Sequence, residues 1–169
     1  MKRELYLIEA ANVVAWANQL TKEKLDKIDF KVRWALKKAV AKLVPDVQEY
    51  EKFRDEEFGK IKEVYFDDEH SIEYTEPKLD DDGNEVKDAE GNVETQQMKK
   101  VKDEYMKEYQ AKIDELNGKI NEILVEKNTY EYNSADIDAF VDSLDDLAPL
   151  EFADIEMLDA LLSERVNER

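Results

Sequence analysis

No cysteine occurs anywhere in the sequence, which removes disulfides and thiolate metal sites and gives no sign of an oxidising compartment. Histidine occurs once, glycine four times and proline three times in 169 residues. With one histidine and no cysteine, a zinc site has no second soft ligand. With so few glycines there is no Gly-rich phosphate loop and no dinucleotide-binding fingerprint. Long apolar runs are missing too: the stretch after Met1-Lys2-Arg3-Glu4 is too short and too interrupted for a signal peptide or a membrane span. These absences predict a soluble, cytoplasmic protein.

Charge is abundant instead. Charged residues make up 40% of the chain and the formal net charge is −18. Residues 1–65 carry 14 Lys/Arg against 12 Asp/Glu and residues 97–128 carry seven of each. The acidity lies in residues 66–96 and 129–169, each with two Lys/Arg against 12 Asp/Glu. Such a balance argues against non-specific nucleic-acid or anionic-membrane binding and permits a basic protein partner. Solubility alone is the simpler reading of it.

Apolar periodicity predicts a mainly α protein organised as a long antiparallel helical hairpin, coiled-coil-like, in a single domain. The first arm runs from about Asp29 to Tyr65. Its stripe of Val32, Leu36, Val40, Leu43, Val47, Tyr50, Arg54, Phe58, Ile61 and Tyr65 has a mean step of about 3.67 residues. Pro45 predicts a kink or a break there. The second arm, from about Gln97 to Lys127, carries Met98, Val101, Tyr105, Tyr109, Ile113, Leu116, Ile120 and Leu124; Gly118 within it marks a close helix contact or a surface position. Between the arms, residues 66–96 form an acidic tip, either a small β-hairpin or disordered: Ser71–Thr75 alternates like a strand, and Asp82-Gly83-Asn84 and Glu90-Gly91-Asn92 are turn signals.

Outside the arms, residues 4–20 predict an N-terminal helix, Thr21 a cap for a short turn, and Thr129–Tyr132 a short extended piece. Ser134 caps a predicted helix bearing Ile137, Phe140, Val141, Leu144 and Leu147, and Pro149 opens a last one bearing Phe152, Ile155, Leu158, Leu161 and Leu162. Residues 22–42 hold eight Lys/Arg against three acids. The acidic C-terminal helices are therefore expected to fold back on this basic base of the hairpin, beside Trp16 and Trp34.

Candidate chemistry is thin. His70, in Asp67-Asp68-Glu69-His70, reads as a polar loop residue. Asp80-Asp81-Asp82-Gly83-Asn84 invites a calcium-loop reading, but with Gly83 at position six the ends are Lys78 and Ala89, neither a ligand. Taking Gly91 instead places Val86 and Gln97 at the ends. The C-terminal acids Asp136, Asp138, Asp142, Asp145, Asp146, Asp154, Glu156 and Asp159 read as a solvated face. No catalytic residue, cofactor site or metal site is predicted. The candidate partner-binding residues are Tyr74, Asp80, Asp81, Asp82, Asp88 and Glu90, because exposed tyrosine favours interfaces.

The layout resembles a family of small uncharacterised proteins of tailed bacteriophages. The similar parts are Glu49-Tyr50-Glu51-Lys52 in the first charged helix, the Asp81–Asn84 and Glu90–Asn92 turns, Lys102-Asp103-Glu104-Tyr105-Met106-Lys107-Glu108-Tyr109 in the returning helix, and the ending Leu150-Glu151-Phe152. The resemblance implies a non-enzymatic accessory protein in virion assembly or structure, in the host cytoplasm or the virion, with no catalytic residues to carry over. A protein partner and possible homo-oligomerisation follow, without nucleic acid or membrane. The alternative is an acidic inhibitor of a nucleic-acid-binding host protein, imitating phosphates.

Overall fold

The computed structural model of the chain describes residues 2–137 and 150–162. In order, the elements are β1 (Lys2–Tyr6), α1 (Leu7–Gln19), α2 (Lys22–Lys27), α3 (Phe30–Tyr65), β2 (Ser71–Pro77), β3 (Thr95–Val101), α4 (Asp103–Leu124), β4 (Lys127–Glu131) and α5 (Phe152–Leu162). Of the helix predicted after Ser134, residues 138–147 lie outside the described residues, as does Pro149; residues 150 and 151 are not helical, so the last helix starts at Phe152 and not at Pro149. The chain forms two compact units, residues 1–52 with 120–169, and residues 53–119.

The first unit is built on a two-stranded antiparallel sheet that joins residues 2–6 to residues 127–131. β1 pairs with β4 in the register Lys2↔Glu131 to Tyr6↔Lys127, and the Leu7 amide extends the ladder to the Glu126 carbonyl at 3.0 Å. The predicted helix over residues 4–20 is thus corrected at its start: residues 2–6 are a strand and the helix begins at Leu7. The Tyr6 amide donates to the Glu9 carboxylate at 2.7 Å, which holds that switch.

The helix starts that follow are capped as their residue types predict. The Thr21 hydroxyl accepts from the Lys24 amide at 3.3 Å, and Asp29 Oδ1 accepts from the Lys31 and Val32 amides at 2.8 and 3.4 Å. α3 continues through Pro45 as one helix. Pro45 itself is exposed, whereas Leu43 and Val47 on either side are buried. Their packing outweighs the single backbone hydrogen bond that proline cannot make.

The core of this unit gathers Ala10, Val13 and Val14 of α1, Val32, Leu36, Leu43 and Val47 of α3, Tyr130, Tyr132, Ile137 and Leu150, and Leu158, Leu161 and Leu162 of α5. No residue of α4 belongs to it. This corrects the predicted architecture. The apolar stripe of α3 over residues 32–47 is buried by the terminal elements and β4, not by a returning second arm, so a coiled-coil-like helical hairpin does not organise the fold. Helices still dominate, but two small antiparallel sheets complete the structure. The reason is that the C-terminal part of the chain carries enough apolar surface to cover α3 itself.

α5 does fold back on the basic segment. This corrects the reading of Asp154 as part of a solvated face: it is almost wholly buried and accepts from Trp16 Nε1 and Lys24 Nζ, both at 2.8 Å, and from the Glu151 amide at 2.9 Å. Burial acts to raise the Asp154 pKa, but Lys24, the Glu151 amide and the Trp16 indole together hold it below the ordinary carboxylate value.

The second unit contains the end of α3, the β2–β3 hairpin and most of α4. β2 and β3 pair antiparallel from Ser71↔Val101 to Pro77↔Thr95. Met98 and Val101, read from the sequence as part of a helical stripe, are therefore strand residues on opposite faces of a ribbon, and α4 starts only at Asp103. A single three-residue step is too short a series to establish a helical period. Cross-strand pairs favour the strand: Gln96 Nε2 bonds Glu76 Oε1 at 3.1 Å and Lys99 lies 3.9 Å from Glu73. At the base of the hairpin, His70 meets Tyr105 edge-on with centroids 4.6 Å apart, and Tyr65 meets Tyr109 at 5.5 Å. His70 Nδ1 lies 2.8 Å from Asp67 Oδ1, which also accepts from the His70 amide at 2.7 Å. The lone histidine is thus part of an aromatic base and not a free loop residue. Nothing lies within 4 Å of the space a side chain at Gly118 would fill, so that glycine marks a surface position.

Candidate protein-binding surfaces

Residues 78–94 are ordered by a repeat with a spacing of eight. The Val86 amide donates to the Lys78 carbonyl, the Glu94 amide to the Val86 carbonyl, and the Lys78 amide to the Glu94 carbonyl, each at 2.8 Å. This closed ring of three backbone bonds makes a junction at the end of the β2–β3 stem, from which two five-residue turns project. The tip is therefore a structured β-hairpin, the first of the two alternatives that its sequence left open.

The two turns are built alike. The Asp80 amide donates to the Asn84 carbonyl and the Gly83 amide to the Asp80 carbonyl; Asp88, Asn92 and Gly91 repeat the pattern. Gly83 and Gly91 have φ of 83° and 89°, the left-handed conformation this type of bulged hairpin turn requires. Asp80 Oδ1 accepts from the Asp82 and Asn84 amides at 3.0 and 2.8 Å, and Asp88 Oδ1 from the Glu90 and Asn92 amides, both at 2.9 Å. Bonds from the Asn84 and Asn92 amides hold the Asp80 and Asp88 carboxyls below the ordinary value.

Of the six candidate binding residues, then, Asp80 and Asp88 are turn staples with their carboxylates directed at their own backbone. Asp81, Asp82 and Glu90 are exposed in the turns. Tyr74 stands opposite Met98 on β2. In an antiparallel ribbon, directly opposed residues share a face, so Ile72, Tyr74 and Met98 lie together, with exposures of 42, 37 and 37%. That face, on which Lys100 stands opposite Ile72 and Glu76 follows Tyr74, is only partly legible in the sequence: Tyr74 is a candidate there, but Met98 reads as part of a helical stripe.

A second surface lies in the first unit. Leu20, Leu25, Phe30, Trp34 and Val40 line a groove of about 410 Å³, with Arg33 and Lys37 on its rim. Phe30 is 69% and Trp34 50% exposed. They sit four residues apart on α3, so they share a face that the buried Val32, Leu36 and Leu43 do not. The Lys38 ammonium stands 4.9 Å from the centre of the Trp34 ring, Lys37 6.0 Å from it, and the Arg33 guanidinium 6.0 Å from that of Phe30. The signal was available: residues 30–45 contain five Lys/Arg and no acid. The expected approach of the C-terminal acids to Trp34 falls in part on residues 138–149, outside the described residues. Among the described residues of α5, Asp154 takes Trp16 and Lys24, and Trp34 stays half exposed.

Among the described residues, no group of three or more His, Asp or Glu is placed to hold a metal ion, and no helix is long and apolar enough to cross a membrane. Comparison with protein-family models, curated proteins and solved structures finds no match.

Proposed function

We propose that the chain is a non-enzymatic protein-binding module that docks through the β2–β3 hairpin onto a partner with a basic, partly apolar surface. One observation carries this reading. Ile72, Tyr74 and Met98 form an exposed apolar face on a hairpin, residues 71–101, that holds nine acids and four lysines. Apolar contact supplies affinity, and the surrounding carboxylates supply steering and partner choice. The turn junction supports the reading because it orders the surface before binding, so less conformational freedom is lost on docking.

The test is affinity purification from the native source with the wild-type chain and with an Ile72→Ser/Tyr74→Ser/Met98→Ser variant. The variant should fold, since all three side chains are exposed, and should lose the partner. A partner retained by the variant would overturn the proposal. Repeating the capture with duplex DNA present separates the alternative: displacement by DNA favours a phosphate-imitating inhibitor, and indifference to DNA favours a structural or assembly partner.

A further inference from the structure

We propose that the groove at Phe30 and Trp34 is a second docking site, which takes an acidic amphipathic segment of another protein and seats a bulky apolar side chain beside Trp34. The inference does not depend on the hairpin surface. It rests on shape, exposure and charge together. The groove is concave, about 410 Å³ in volume, which is room for a large side chain and part of its backbone. Two of its aromatic residues are left half or more exposed, although burying such rings is among the most favourable contributions an interface can make.

Charge complementarity selects the occupant. In a chain with a net charge of −18, the first four turns of α3 carry five cations and no acid. Arg33 is paired with Asp26 at 3.2 Å, but Lys37 and Lys38 have no carboxylate partner among the described residues and lie over the Trp34 ring instead. An incoming carboxylate at either lysine would complete a pair beside an apolar contact, and a segment with acids and apolar residues at helical spacing supplies both at once. Other occupants fit less well. A bilayer surface or a nucleic-acid backbone presents far more negative charge than five cations can match, so the net acidity of the chain opposes it, whereas a short segment brings only a few carboxylates. A second copy would add like charge to like charge.

The experiment measures binding of the full-length chain to a dye-labelled synthetic peptide with Glu and Leu at helical spacing and one central Phe, by fluorescence anisotropy. Its counterpart with every Glu replaced by Gln is the control. Trp34→Ala and Lys37→Glu/Lys38→Glu are the variants, with circular dichroism confirming their fold. The Glu peptide should bind, and the Gln peptide should bind at least about tenfold more weakly. Each variant should weaken binding by roughly tenfold or more, the size expected when one central contact is lost. Failure of the Glu peptide to bind, or equal binding by wild type and both variants, would overturn the proposal. So would co-sedimentation with phosphatidylserine vesicles that Trp34→Ala abolishes, which would assign the groove to a lipid surface. A dimer in sedimentation that Trp34→Ala makes monomeric would assign it to a second copy. The hairpin variant should bind the peptide as wild type does, so this proposal and the hairpin reading can fail separately.

Discussion

The Tyr130 hydroxyl donates to Asp46 Oδ2 at 2.9 Å, joining two residues 84 positions apart. Asn128 Nδ2 reaches the same oxygen at 3.3 Å. Asp46 directly follows Pro45, so β4 is fastened to α3 beside the one place where that helix lacks a backbone donor. Burial, and then the hydrogen bond to Asp46, push the Tyr130 phenol up to about 12; burial does the same for Tyr132.

That shift has a sign. A phenol with a raised folded pKa contributes stability that is whole below its unfolded value of about 10, and that is lost as the pH rises from there to about 12. Ultraviolet titration should therefore show tyrosines ionising late, together with alkaline unfolding, and Tyr130→Phe should remove one late step. The same substitution should cost about 1 kcal/mol at neutral pH in chemical denaturation, the value of one net hydrogen bond. A titration unchanged by Tyr130→Phe would rule the contact out.

Asp154 gives the opposite dependence. Its folded pKa is lowered, so its contribution is present above the unfolded value of about 3.9 and is lost as the pH falls through the lower folded value. Asp154→Asn keeps the shape, but it turns a donor toward groups that are themselves donors, Lys24 Nζ or the Glu151 amide. The variant should be destabilised by about 2 kcal/mol at neutral pH. Its gap to wild type should close as the pH falls below about 4. A gap independent of pH would mean that the carboxylate charge is not what matters.

Two glycines should respond to alanine with opposite signs. Space is open around both Gly83 and Gly118, so only the backbone decides. Gly83 has φ of 83°, where a Cβ costs about 1–2 kcal/mol; Gly83→Ala should speed hydrogen exchange across residues 78–94. Gly118 is helical, and Gly118→Ala should stabilise α4 by up to about 1 kcal/mol. The same sign at both positions would contradict the turn geometry.

Much of the local structure was legible in the sequence because it rests on short-range chemistry. Thr21 and Asp29 cap where their side chains can reach the next amides, and the two Gly-Asn turns form because glycine accepts a positive φ. The α3 stripe from Val32 to Val47 faces a core as its period implies. Even the return of the C-terminal acids to the basic segment was predicted from charge, with Asp154 on Lys24 as its outcome.

Only the tertiary structure decided what each stripe packs against. Residues 2–6 become a strand because residues 127–131 lie alongside them, a pairing across the whole chain that no local period reports. Met98 and Val101 leave the predicted helix because Tyr74 and Ser71 stand opposite them. Pro45 is carried inside α3 because Leu43 and Val47 are buried around it, and Asp154 is buried because Trp16 and Lys24 meet its carboxylate. Periodicity fixes which face of an element is apolar, but burial is a property of the pair. The partner is chosen by the area it can cover, and that sum is taken over the folded chain.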